Sequence, residues 1–259
     1  MTNQMIDNIY NMDCFEGMKA IPDESIDMVL CDLPYNTTDS SWDKKAIDLD
    51  KLWSAYKRIT TSNAAIVLFA SGMFTAKLIA SNVDMYKYKY TWIKNCKSLF
   101  IQSKVRPLTQ HEDILIFSKG TAANKAKNNM VYNPQGLIPC YEQDTNNKTR
   151  FTIYGDRPSH QRWDGIRHYK NYPTDVLYYD CVTNNERIHS NQKPLALCEF
   201  LIKTYTNEGH VVLDNCMGSG TTAVACKNTG RHFIGYELDK VYCDAALRRL
   251  HTEQGNLIQ

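Results

Sequence analysis

"VVLDNCMGSGTTAVACKNTGRHFIGYELD", residues 211–239, decides the fold. A run of apolar, mostly β-branched residues leads into Gly218-Ser219-Gly220. A helix-forming segment begins near Thr221, and a second apolar run ends in Glu237. The glycines let the backbone turn tightly and approach a ligand closely. Glu237 lies 17 residues past Gly220, about where a dinucleotide fold places the carboxylate that binds ribose hydroxyls. The third glycine of GxGxxG is missing, with Thr222-Ala223 in its place. A nucleoside without a pyrophosphate suits this turn better than a dinucleotide. Gly-x-Gly alone would read as an ordinary turn; the succession strand, turn, helix, strand, acid makes it a ligand site.

Other short apolar runs share the character of these strands: 25–32, 64–71 and 112–118, beside 210–216 and 232–238. Continuous apolarity suits strands of a parallel sheet covered on both faces. Helix-period segments lie between them. In 47–59, Ile47, Leu49, Leu52, Trp53, Tyr56 and Ile59 form one apolar stripe. In 195–205, Leu195, Cys198, Leu201, Ile202 and Tyr205 do the same, with Pro194 at the first turn. In 241–250, Val241, Ala245 and Leu250 are expected on the inner side, opposite Arg248 and Arg249. The alternation predicts an α/β, Rossmann-like, doubly wound, mostly parallel sheet.

Composition sets bounds on the function. The 259 residues include 43% apolar side chains, enough for a sizeable core, and the net charge of +2 does not announce a polyanionic partner. Nine cysteines are scattered without a CxxC pair, so reduced thiols are expected and no metal site. The opening residues lack a basic-then-apolar leader, and no apolar run reaches the roughly 18 residues of a membrane span. A cytoplasmic protein is expected.

A second stretch carries chemistry. "CDLPYNTTD", 31–39, follows the apolar run "SIDMVL". Asp32, an X-Pro bond and Tyr35 therefore stand at a strand end. An ordinary proline turn has the same look. Beside a nucleoside-binding unit, the tetrapeptide holds an acid and an aromatic ring rigidly together at a strand end.

Taken together, the chain resembles the beta class of bacterial DNA amino-methyltransferases, in which a circular permutation puts the catalytic motif before the S-adenosylmethionine motif. Their Asp/Asn/Ser-Pro-Pro-Tyr/Phe is matched by Asp32-Leu33-Pro34-Tyr35, and their "DPFxGSGTT" by "DNCMGSGTT", 214–222. "HSNQKP", 189–194, resembles their "HPTQKP", and "MD", 12–13, their "GD". Leu33 replaces a proline whose backbone carbonyl is the functional group, Cys216 a phenylalanine, and Ser190-Asn191 a Pro-Thr pair.

The resemblance implies S-adenosylmethionine as cofactor and methylation of adenine N6 in DNA. Asp32 and the Leu33 carbonyl would accept the two amino N–H bonds, freeing a delocalised lone pair for in-line attack on the methyl. Pro34 would hold Leu33 extended, and Tyr35 would stack on a base flipped from the duplex. Gly218, Ser219, Gly220, Thr221 and Thr222 would hug the methionine part, and Glu237 the ribose. Asp13 would lie near the adenine, Lys193 near the carboxylate, and Asp214 beside the turn. For Asp214 a strand-end role, and for Asp13 a plain loop role, stay open.

The partner implied is double-stranded DNA, with single-stranded DNA as a further candidate and a homodimer as in many members. From Met85 to His111 there is no acid, while Lys94, Lys97, Lys104 and Arg106 occur there. "YKYKYTWIK" reads either as a solvated edge strand or as a phosphate-contacting surface. Residues 119–170 hold nine Lys/Arg against four Asp/Glu, with Arg150, Arg157, Arg162 and Arg167 as candidate base readers. The expected division is a catalytic half, 1–118, an inserted target-recognition module, 119–185, and a cofactor half, 186–259. Cytosine N4 methylation and a catalytically silent DNA- or cofactor-binding subunit remain alternatives. An RNA or protein-glutamine methyltransferase would carry its motifs in the opposite order.

Overall fold

The computed structural model describes residues 5–35, 47–123, 126–143, 166–183 and 192–256. The chain forms β1 (Asn8–Asn11), α1 (Cys14–Lys19), β2 (Ile26–Cys31), α2 (Leu49–Ile59), β3 (Thr60–Ala70) and α3 (Met73–Ser81). It continues through β4 (Tyr86–Ser98), β5 (Thr109–Ser118), β6 (Ile138–Gln143), β7 (Ile166–Lys170) and β8 (Val176–Tyr178). It closes with α4 (Leu195–Tyr205), β9 (Val211–Asp214), α5 (Thr221–Asn228), β10 (His232–Glu237) and α6 (Lys240–Asn256).

The main sheet runs in the order β1-β10-β9-β2-β3-β5-β4-β8. From β1 to β3 every pairing is parallel. β5 is antiparallel to both β3 and β4, and β8 adds in parallel to β4. The expected α/β, doubly wound, mostly parallel sheet is therefore the observed one. β2 and β9 lie side by side at its centre, although the segment from Cys31 to Val211 separates them in sequence. From that pair the chain winds outward in both directions. This is a topological switch point, where the carboxyl ends of neighbouring strands open a crevice.

Both faces are covered. Leu52, Trp53, Tyr56 and Ile59 of α2, with Met18 of α1 and Phe74 and Leu78 of α3, bury one face. Leu197, Cys198, Leu201, Ile202 and Tyr205 of α4, with the inner sides of α5 and α6, bury the other. β2 serves both, since Met28 and Leu30 belong to one cluster and Val29 and Cys31 to the other. That is why its sequence shows no polar alternation. The stripes expected on 47–59 and 195–205 face the core, with Ile47, Leu49 and Leu195 half-buried against it and the other members buried.

Three expectations change. In α6 the buried positions are Cys243, Ala246 and Leu250, while Val241 is 71% exposed. Ala246 is drawn inward because it packs under Gly220. β4 is not an edge strand, because β8 pairs with it along Thr91–Ile93. That pairing also brings Cys96 to Cys181, which form a disulfide where separate thiols were expected. Within 119–183, Met130 enters the core, Asn133 N–H donates to the Thr204 carbonyl, and β6 and β7 form a separate ribbon.

Helix α1 sits close on the sheet because Gly17 has no side chain: a Cβ there would lie 2.2 Å from the buried Tyr236 ring. Gly17→Ala should therefore cost roughly 1–3 kcal/mol in urea unfolding through overpacking. Unchanged stability would mean that α1 is free to lift off β10.

Candidate active site

A cavity of about 830 Å³ opens at the carboxyl ends of β2, β9 and β10. Asp13, Asp32, Pro34, Lys193, Asp214, Gly218, Ser219, Thr221, Thr222 and Glu237 all line it. Residues from the two ends of the sequence thus meet in one crevice. Leu33, Tyr35 and Gly220 stand just behind its wall: Leu33 is 2% exposed, and Gly220 is the N-cap of α5.

The β9 side is built by its turn. Gly218 and Gly220 have φ of 53° and 75°, a backbone region that suits glycine. A Cβ at Gly220 would also lie 2.9 Å from Ala246. The Gly218 N–H donates to Glu237 Oε2 at 2.7 Å and the Asp239 N–H to Oε1 at 2.8 Å. Burial raises the Glu237 carboxyl above its ordinary pKa. Asp214 accepts from Thr222 Oγ1 at 2.6 Å and from the Cys216 N–H at 3.1 Å. Burial outweighs those donors and pushes Asp214 up to about 7. Asp13 caps α1, accepting from the N–H groups of Phe15 and Glu16 while it lines the cavity. A glycine turn, a half-buried acid at the end of β10 and this volume fit a nucleoside with a short polar tail.

The β2 side is held by charge. Tyr35 Oη donates to Asp32 Oδ1 at 2.7 Å, and its ring rests on Phe74 with centroids 4.7 Å apart. Burial first, then the Asp32 charge, raises the Tyr35 hydroxyl well above its ordinary pKa, so it stays a donor. Lys193 Nζ donates to Asp32 Oδ2 at 2.5 Å, lies 3.4 Å from Glu112, and sits 4.9 Å from the Phe69 ring centre. Burial works against this ammonium, yet Asp32 and Glu112 raise its pKa. Glu112 also pairs with Lys94. Burial alone would raise Glu112, but Lys193 and Lys94 hold it below the usual carboxylate range.

Sequence reading missed Glu112, which stood among apolar strand residues without a motif. Lys94, expected on a DNA-facing surface, turns inward instead, because the Glu112 carboxylate draws its ammonium and the Trp92 ring supports it. Lys193, expected at the cofactor's carboxylate, spends its ammonium on Asp32 and Glu112 here. Lys97, Lys104 and Arg106 are exposed as expected. Arg167 lies on β7 in register with Glu142. Arg150, Arg157 and Arg162, and His189, Ser190 and Asn191 of the "HSNQKP" match, fall outside the described residues. Among the described residues, no three His, Cys, Asp or Glu side chains gather as a metal site, and no helix is long and apolar enough to cross a membrane.

Comparison with known proteins bears on the family and the fold. The N6/N4 DNA methylase family model matches residues 26–248. Type II methyltransferase M.HpaI of Haemophilus parainfluenzae is 28% identical over 249 residues, 92% of this chain and 72% of its own. Type II methyltransferase M1.MboII of Moraxella bovis is 26% identical over 273 residues, 93% of this chain and 95% of its own. The crystal structure of the M1.HpyAVI–SAM complex superposes with a TM-score of 0.61 at 25% identity, covering 94% of this chain and 98% of that one. PvuII DNA methyltransferase, described as cytosine-N4-specific, shares the fold with a TM-score of 0.63 at 15% identity, covering 93% of this chain and 85% of that one.

Two outcomes follow from the buried charges. Lys193→Met should cost about 3–5 kcal/mol in urea unfolding, since it strands Asp32 and leaves Glu112 with Lys94 alone; a loss below about 1 kcal/mol would mean water screens them. Asp214 binds its proton more tightly folded than unfolded, so its contribution to stability falls as pH rises from about 4 toward 7. Asp214→Asn removes that dependence. The melting temperature of the variant relative to wild type should climb between pH 5 and pH 8, and a flat difference would refute the assignment.

Proposed function

Because the chain belongs to the N6/N4 DNA methylase family, we propose that it is a site-specific DNA adenine N6-methyltransferase of the circularly permuted beta class. The observation that carries this reading is the convergence of Asp32 and the glycine turn on one crevice, with Asp32 held by Tyr35 and Lys193. S-adenosylmethionine, the cofactor, supplies an electrophilic sulfonium methyl when bound. Gly218 to Thr222 would cradle it, Glu237 would take the ribose hydroxyls, and Asp13 would lie beside its adenine.

Every other contribution comes from the chain. Asp32 and the Leu33 carbonyl accept the two N–H bonds of the target amino group, drawing it toward a tetrahedral geometry. The carboxylate can do so while bound to Tyr35 and Lys193, because it has about four lone-pair sites. Pro34 keeps Leu33 extended, which aims its carbonyl. Lys193 and Tyr35 fix the Asp32 rotamer before the base arrives, which is preorganisation. Glu112 and Lys94 position Lys193 in turn. Aspartate at the first motif position supports adenine over cytosine; the family itself includes both chemistries.

The reading also assigns the regions. Residues 1–118 carry the amino-group chemistry and 186–259 the cofactor. Residues 119–185 would recognise the target, with Arg150, Arg157, Arg162 and Arg167 at base edges. Lys97, Lys104 and Arg106 would hold phosphates.

The test is nucleoside mass spectrometry of unmethylated plasmid treated with protein and S-adenosylmethionine. N6-methyladenine should appear, and Asp32→Ala should lower its rate by about 10²–10³-fold in a folded protein. N4-methylcytosine would reverse the base assignment and keep the fold. Bound cofactor with no methylated base in DNA would favour the silent subunit.

A further inference from the structure

β4 and β5 form a hairpin that overshoots the sheet. β4 runs parallel to β3, whose last residue, Ala70, is level with Asp113 of β5. Residues beyond Ile93 and before His111 therefore project past the carboxyl edge, on the side where Asp32 follows β2. At the hairpin's base, Glu112 pairs with the Lys193 that holds Asp32. At its far end Leu99, at φ 68°, opens a single turn of 3-10 helix over Phe100–Gln102. The N–H groups of Gln102, Ser103, Val105 and Arg106 all bond back within this tip.

The tip is apolar where it should be polar. Phe100 is 64% exposed, Ile101 100% and Val105 84%. A cluster of large apolar side chains on a projecting tip marks an interaction site. Around it stand exposed Lys97, Lys104 and Arg106, with no acid between Met85 and His111. An apolar point with a cationic skirt is complementary to one partner in particular. Duplex DNA is anionic outside and apolar between its stacked bases, and proteins that open it push apolar wedges between base steps.

We propose that the β4–β5 tip is a wedge for duplex DNA, with Phe100 and Ile101 entering the stack where the target base leaves it. Lys97, Lys104 and Arg106 hold the phosphates on either side. The proposal rests on the reading that this site methylates a base drawn out of a duplex. It adds the element that opens the duplex, which Asp32 and the cofactor turn do not supply. Rigid connection through Glu112 and Lys193 would keep the wedge in register with the catalytic carboxylate.

Phe100→Ser/Ile101→Ser tests it, because both side chains are in solvent and their loss should leave the fold intact. Methyl transfer would be measured on two oligonucleotide duplexes carrying the mapped site. One is fully paired; the other sets the target base opposite an abasic position, so it is already loosened. The variant should lose about tenfold or more in kcat/KM on the paired duplex and recover most of it on the loosened one. Equal activity of variant and wild type on both duplexes, or an equal loss on both, would overturn the wedge. A variant that shifts from dimer to monomer by sedimentation would overturn it in favour of a contact between copies. A wild type inactive on either duplex would remove the underlying reading and the wedge with it.

Discussion

Two parallel β-bridge pairs, Met28 with Val212 and Val29 with Leu213, hold the molecule's plan together. They are few, but they seat β9 against β2 and so bring the last third of the chain beside the first. A one-residue slip of β2 would swap Met28 and Leu30 with Val29 and Cys31 between two close-packed clusters, neither of which is shaped for the other set. The register is therefore fixed, and so are the two strand ends above it. Asp32 leaves one and Asp214 ends the other, within the same crevice. The glycine turn and the DLPY turn need no direct bond to each other, since the sheet aligns them.

Burial makes that crevice electrically demanding. Lys94, Glu112, Lys193 and Asp32 alternate in sign, and each interior member has an opposite charge on both sides. Ions taken out of water are tolerated when paired and hydrogen-bonded, and such pairs are weak sources of net stability. The chain of charges is better understood as a positioning device. It connects β4, β5 and the segment before α4 to a single carboxylate. Asp214 is the contrasting case, an acid with hydroxyl and amide donors and, among the described residues, no cation beside it.

Much of this was legible in sequence because short-range rules governed it. The glycine turn, its flanking strands and the acid at Glu237 are set by local backbone demands, and the stripe of α4 by helical period. What escaped depended on distant partners. Nothing in "HEDILIFS" tells that Glu112 faces Lys193, since that contact joins segments far apart in the sequence. Lys94 sits among surface-like lysines and turns inward only because β5 presents an acid opposite. Val241 has the right spacing for a core residue, yet the inner side of α6 is fixed by its approach to Gly220. Cys96 and Cys181 meet because β8 pairs with β4, a pairing that a three-residue strand does not announce.

The order of strands has a consequence for the nascent chain. β1 is made long before β10, its neighbour in the finished sheet. β2 and β3 can pair early, while the other edge of β2 waits for β9. Until β9 is made, the apolar strand β2 therefore shows an open edge, which is a template for pairing with other chains. Placing β2 early and β9 late in the sequence thus delays completion of the sheet. Until that event the crevice has only one wall, so a truncated chain would carry the DLPY turn without the turn that faces it.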